Sequence, residues 1–408
     1  MTGSSVGARE LRGGQVALCT VTANNYLGRA CVMARSLVDI HPDLVPFVGI
    51  TDKGQRPSQL DREPLSVISL EDIGLALNEL TFGLRREQLA VVAKPALIAH
   101  LLDVGFETVV YLDPDMLVCS KLDSVIEIVS ESAVTLTPHL LDETSLESEI
   151  AILLSGVYNA GFVGVSSKGR GFVDWWLDRT LVNPENDVEN CVYYDQRWLD
   201  LAPSMFEGVM VLRDRGVNVA YWNMAERELD RREGNLVAGT APVKILHFSG
   251  FDLRCPEQAS VHFGGVSADS LGPEAKRVFK EYAAMVQEVD RQLGSTDEYG
   301  YGVFKSGEPI PDVARLIYRE LGEEAARFNN PFDDTHPSSF ANWLNAPALI
   351  DEARVCPAIT NLWERVYRLR PDVQAAYPDL TGNDREGFVA WTRSSGLAEH
   401  GVGEAFRI

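Results

Sequence analysis

Apolar positions along the chain change period several times, and each change marks an element. "QVALCTV" from Gln15 is a continuous apolar run of strand length, punctuated by "ANNY". In "LGRACVMARSLVDIHP" the apolar residues recur at helical spacing until Pro42, and "VPFVGITD" is a second strand. Strand, helix and strand in that order imply a parallel pair joined by a crossover, so the chain opens as an α/β sheet. "EQLAVVAKPALIAHLLDVGF" reads as a helix that stops at Gly105, with Pro95 a place for a kink, and "TVVYL" as a buried central strand.

The pattern then repeats more loosely. "SAVTLTP", "GFVGVS", "GVMVLRD", "VNVAYW" and "VKILHFS" read as strands, and "GRGFVDWWLDRTL" and "NCVYYDQRWLDLAPSMF" as helices. Beyond Cys255 the character changes to helical segments, among them "GPEAKRVFKEYAAMVQEVDRQL" and "ITNLWERVYRLR", joined by Pro/Gly/Asn-rich stretches such as "FNNPFDDTHPSS". The predicted organisation is a disordered tail at 1–14, an α/β domain at 15–255 and a helical region at 256–408.

Composition narrows the function classes. A net charge of −22, from 37 basic and 59 acidic residues, repels a phosphate backbone and disfavours an anionic membrane surface, so no nucleic-acid partner is expected. Cys19, Cys31, Cys119, Cys191, Cys255 and Cys356 form no C-x-x-C pair and read as reduced residues of a cytoplasmic protein. No stretch approaches the roughly 18 apolar residues that span a bilayer, and "MTGSSVGARELRGGQ" has no apolar export core.

Chemistry gathers at "TVVYLDPDMLVCS", where Asp113 and Asp115 interrupt a buried run. If the extended conformation lasts through Pro114, the period of two projects both carboxylates to one side of the chain. That spot, beyond the carboxyl end of a central parallel strand, is where ligands bind in open α/β sheets. A hard divalent cation would remove the carboxylate repulsion and hold a diphosphate. Two other readings stay open: an Asp-Pro-Asp turn that binds nothing, and the D-x-D of haloacid-dehalogenase-type phosphatases, although Leu117 stands where those have Thr or Val. A sugar-1-phosphate nucleotidyltransferase should carry a Gly-rich basic loop after the first strand, which "ANNYLGR" lacks.

Taken together, "AKPALIAHLLD", "VVYLDPDMLV", "YNAGFVGVS", "YYDQRWLDL", "NVAYWNM" and "KILHFSG" resemble, in this order, glycosyltransferase family 8, the family of glycogenin and the bacterial lipopolysaccharide galactosyltransferases. The resemblance spans residues 15–255. It implies a GT-A fold, a Rossmann-like and mostly parallel mixed sheet flanked by helices, and transfer of a sugar with retention from a nucleotide-sugar donor, a UDP-sugar in particular, to a glycan, polysaccharide-precursor or natural-product acceptor. It implies that Asp113, Asp115 and His247 hold manganese, Mg²⁺ being the alternative, since an imidazole beside two carboxylates suits Mn²⁺ better. Lys94 would face the donor, Gly250 would let a backbone close on phosphate, and Arg254 would replace a family Lys where this chain has Leu253. Asn159, Ala160 and Gly161 would line the donor-sugar pocket, with Asp195 and Gln196 nearest the anomeric carbon. Thr20, Thr22 and Tyr26 would contact the nucleobase. The resemblance leaves residues 256–408 without a counterpart in the family's small members; covering the acceptor cleft, homodimerisation and docking of a partner enzyme all remain open for them. A non-catalytic sugar-nucleotide-binding scaffold is the non-enzyme reading. Trp175, Trp176, Tyr221 and Trp222 could stack on a sugar or fill a core.

Overall fold

The computed structural model describes residues 15–53, 57–75, 77–262, 265–294, 297–348, 350 and 358–408. The expected tail at 1–14 and Cys356 lie outside these residues. The chain divides into two compact units, one of the described residues up to Gly74 with Ala90–Asp297, the other of Leu75–Leu89 with Glu298–Ile408.

The first unit is built on a mixed, seven-stranded sheet. Its strands are β1 (Val16–Thr22), β2 (Phe47–Ile50), β3 (Ser66–Ile68), β4 (Thr108–Leu112), β6 (Val134–Pro138), β7 (Tyr158–Ser166) and β8 (Val209–Val211), in the order β8-β6-β7-β4-β1-β2-β3. All pairs are parallel except the two that β7 makes, with β4 and β6. β4 is buried throughout, which is why its sequence shows no alternation. Helices α1 (Leu27–Ile40), α2 (Arg86–Asp103, with Pro95 inside it), α3 (Asp123–Glu131), α4 (Leu146–Ser155), α5 (Arg170–Val182) and α6 (Pro273–Leu293) complete the list of main elements. A short β5 (Met116–Val118) leaves the sheet and pairs with β9 (Ile245–His247), antiparallel, with Met116 opposite His247.

α6 lies beyond the boundary drawn near 256 from the sequence, yet it packs in this unit. Its buried stripe, Val278, Phe279, Tyr282, Ala283 and Val286, shares a core with Leu246, Phe248 and Phe251, and the Phe248 and Tyr282 rings stack at 3.7 Å. Pro273 at its start and Gly294 at φ +66 just past its end delimit it. The segment predicted as a helix from "NCVYYDQRWLDLAPSMF" is not one. Val192–Tyr193 pairs with Asn186–Asp187, Cys191 and Tyr194 take φ of +61 and +48, and only a 3₁₀ turn and the short helix Ala202–Met205 follow. "VNVAYW" likewise makes a single parallel bridge, Val219 to Leu246, rather than a strand.

The second unit is helical around a core that includes Phe82, Phe340, Trp363 and Phe388. Buried Arg315 ties it internally, donating to the carbonyls of Phe82, Leu84 and Tyr301. No described helix is long and apolar enough to cross a membrane, and Cys19, Cys31, Cys119, Cys191 and Cys255 are free.

Candidate active site and metal centre

β4 ends at Leu112 and the chain turns at once, the Met116 N–H donating to the Asp113 carbonyl at 3.1 Å. Pro114 occupies the first central position of this turn, where its fixed φ is favoured. The carboxylates therefore converge through a turn, and not through the extended alternation expected from the sequence. The turn also starts β5, whose pairing with β9 delivers His247.

His247 Nε2 lies 3.3 Å from Asp115 Oδ1 and 3.8 Å from Asp113 Oδ2. One ligand atom from each of the three residues lies within 4.8 Å of the others. The imidazole is oriented by its other nitrogen: Nδ1 is 2.9 Å from Asn218 Oδ1. Asn218 directs its Nδ2 to Thr137 Oγ1 and Asn159 Oδ1, so its oxygen is the acceptor and His247 Nδ1 carries the proton. Nε2 is left facing the carboxylates, and one imidazole nitrogen with two carboxylate oxygens is a donor set suited to a divalent transition-metal cation. Burial works to raise the Asp115 carboxyl, but His247 and Arg29 outweigh it and hold the group below its usual range.

Gly161 forms the floor of the cluster. A Cβ there would stand 2.6 Å from His247 Cε1 and 2.9 Å from Asp113 Oδ2, so only glycine leaves the three ligands their places. Asn159 and Ala160, just before it on β7, are bound to Gln196: Asn159 Nδ2 and the Ala160 N–H both donate to Gln196 Oε1, at 2.9 and 3.1 Å. Gln196 Nε2 donates in turn to the Ser155 carbonyl. The strained bend at Tyr194 thus buries Asp195 and Gln196 next to the start of β7.

Lys94 reaches in from α2. Its ammonium lies 2.8 Å from Asp195 Oδ2 and 3.4 Å from Asp113 Oδ1, and donates to the Ala160 carbonyl. Burial works to lower Lys94, yet Asp113 and Asp195 outweigh it and raise it, so the ammonium stays charged. Burial pushes Asp195 up against the pull of Lys94. Tyr111 adds a hydrogen bond to Asp113 Oδ1 at 2.9 Å.

The remaining predicted residues are less uniform. Thr20 and Thr22 are buried on β1; Thr22 Oγ1 donates to the Ala23 carbonyl, while Thr20 Oγ1 has no partner among the described residues. Burial raises Tyr26 against the pull of Arg29, whose guanidinium lies 4.0 Å from the ring centroid, and Asp115 and Asp113 add to the rise. Gly250 has φ +67 and lies against His262, whose Cδ2 would meet a Cβ at 2.5 Å. Arg254 does not join the site: its side chain is 85% exposed and paired with Asp252.

Beside Asn159 and Gln196 opens a cavity of about 390 Å³, walled by α4 on one side and by Tyr193, Tyr221 and Trp222 on another. The Trp222 ring packs edge-on against His247 and His139. His139 donates from Nδ1 to the Val157 carbonyl and accepts at Nε2 from Asn159, and burial pushes it down to about 4. Asn218, His139, Arg29 and His262 were not singled out from the sequence. The one local signal is Asn218, a polar residue inside "VNVAYW" that takes φ +56, a conformation Asn tolerates better than most.

No family model matches the chain. The uncharacterized protein YfnD of Bacillus subtilis (strain 168) is 32% identical over 103 residues, which are 24% of this chain and 33% of that protein. The match therefore spans a third of the relative's length. Among the solved structures that match are three glycosyltransferases. The galactosyltransferase LgtC, in complex with donor and acceptor sugar analogues, is 19% identical over 69% of this chain and 98% of its own, with a TM-score of 0.41. The glycosyltransferase GlyE of Streptococcus pneumoniae TIGR4 is 14% identical over 72% of this chain and 67% of its own, with a TM-score of 0.41. The bifunctional glycosyltransferase WbbM is 14% identical over 69% and 52%, with a TM-score of 0.40.

Proposed function

We propose that this protein is a metal-dependent glycosyltransferase that moves a sugar from a UDP-sugar to a glycan or small-molecule acceptor with retention of anomeric configuration. The observation that carries the reading is the convergence of Asp113, Asp115 and His247 at the end of a parallel strand, directly beside a sugar-sized cavity. Asp113, Asp115 and His247 would hold Mn²⁺, which when bound would neutralise the carboxylates and present positive charge to a diphosphate.

The chain's own groups then divide the work. Lys94 balances Asp195 and Asp113, so that a second buried carboxylate can stand next to the metal ligands. Asp195 would grip donor hydroxyls. Asn159 and the Ala160 N–H are held by the Gln196 oxygen, which positions the cavity's polar edge. With both donors on that oxygen, Gln196 acts through its dipole, not as a nucleophile. This supports a same-face route in which the leaving phosphate accepts the acceptor's proton. Gly250 would let its loop close on phosphate, and Tyr26, with Thr20 and Thr22, would meet the nucleobase. An aspartyl-phosphate mechanism fits less well, because Asp113 Oδ1 accepts from Tyr111 and Oδ2 faces His247.

The test is release of nucleoside diphosphate from a panel of UDP-, GDP-, ADP- and dTDP-sugars, in Mn²⁺ and in chelator, with wild type and Asp115→Ala. Release from one donor only in Mn²⁺, lost in Asp115→Ala, is expected. Binding of no donor in the presence of metal would overturn the reading.

A further inference from the structure

The cavity beside the metal cluster is lopsided in charge. Among the described residues no Lys or Arg lines it. Its one formal charge at neutral pH is Glu147, an exposed residue in the first turn of α4, which pairs with none of the described cations. Burial pushes His139 down to about 4 and also lowers His262, so neither imidazole supplies positive charge near pH 7. What remains is neutral: the hydroxyl side chains of Thr144, Ser148 and Ser249 and the aromatic Tyr221 and Trp222 line the cavity, while the Asn159 and Gln196 amides are held in their own hydrogen bonds. Aromatic rings with nearby hydroxyls suit a ligand that is apolar on one face and carries hydroxyls around its edge. An anion entering this space would lose its water with no counter-charge from the lining residues to replace it, and would meet Glu147 on the way.

We propose that the cavity holds sugar units that are uncharged or carry an amino group, and excludes uronic acids and sugar phosphates. The inference rests on the glycosyl-transfer reading for its place in a reaction, but the discrimination itself needs neither metal nor donor. The sugar could belong to the donor or to the acceptor, and both would obey the same rule.

The experiment is ligand-detected saturation-transfer NMR on the full chain, without metal, using methyl glycosides of glucose and galactose, glucosamine and galactosamine, their uronic acids and their 6-phosphates. Neutral and amino sugars of at least one series should show transfer, and the anions none. Glu147→Gln should reduce the advantage of the amino sugar over the neutral one by about two- to fivefold, the range of an exposed ion pair. Glu147→Arg should admit the uronic acid. Equal binding of the anions to wild type, or binding of no sugar in either series, would overturn the proposal. Two further arms separate the sources. Nucleotide release in Mn²⁺ from UDP-glucose against UDP-glucuronate reports on the donor sugar, and stimulation of that release by added glycosides reports on the acceptor. Charge discrimination by NMR without any metal-dependent nucleotide-sugar binding would sink the transferase reading and leave the cavity assignment standing.

Discussion

Replacing Gly161 by Ala perturbs the candidate metal cluster without substituting any of its three residues. The added methyl group would lie 2.6 Å from His247 Cε1, 2.7 Å from Asn159 Oδ1 and 2.9 Å from Asp113 Oδ2. Gly161 is not among the residues with positive φ, so the backbone itself accepts Ala and the whole effect is steric. Restoring ordinary contact requires the imidazole to retreat by about 0.8 Å, whereas metal–ligand distances tolerate only about 0.2 Å. Overpacking of this kind costs about 1–3 kcal/mol of stability, and disturbed ligand placement weakens metal binding about 10- to 100-fold. Mn²⁺ titration followed by electron paramagnetic resonance measures the second effect, and urea denaturation in chelator the first. Gly164→Ala on the same strand is the control. Its methyl group would meet Val129, away from the cluster, so it should lower stability and leave Mn²⁺ affinity alone. Unchanged metal affinity in Gly161→Ala would refute the placement of the three ligands.

Asn218→Gly removes the acceptor of His247 Nδ1 while keeping the left-handed backbone free of strain; Mn²⁺ affinity should drop about tenfold or more, and an unaltered titration would show that the imidazole needs no such orientation. Lys94→Met strands the Asp195 carboxylate and should cost about 3–5 kcal/mol in urea denaturation; adding Asp195→Asn should recover much of it, and a double variant as unstable as the single one would count against the pair. His139 gains stability by staying neutral: its folded value near 4 is below the ordinary 6.5, so this contribution is complete above 6.5 and is lost as pH falls toward 4. By pH 5 the loss is about 2 kcal/mol, and urea midpoints should fall more steeply between pH 7 and 5 for wild type than for His139→Gln; parallel curves would contradict the buried neutral imidazole.

What the sequence made legible follows from range. β1 and β4 are apolar on both faces because both faces are covered, so their runs stood out, as did the two aspartates that end one of them. The local geometry of Asp-Pro-Asp stays open in the sequence, since turn and extended chain both bring the carboxylates together and periodicity cannot separate them. The segment holding Asp195 and Gln196 reads as a helix because its apolar spacing suits one. Nothing in the letters announces that Cys191 and Tyr194, neither of them glycine, adopt left-handed backbone. Asn218 and His139 escaped notice because their partners lie far away in the chain: Asn218 meets His247 and Asn159, and His139 meets Asn159 and Trp222. In α6 the buried stripe was evident, but a stripe does not say which core it enters.

The pairing of β5 with β9 also dictates when the cluster can exist. Asp113 and Asp115 leave the ribosome with the first half of the sheet, while His247, and the α6 residues that cover Phe248, emerge only after more than a hundred further residues have been added. Contacts so distant in sequence form late, after the loops between them are closed. Until then the aspartates sit on an unsealed edge without their imidazole partner. A cation therefore cannot nucleate this fold in the manner of a small zinc domain; on the proposed reading a metal would be acquired by a finished sheet, and chains truncated ahead of residue 245 should keep β1 and β4 but never gain the three-residue cluster.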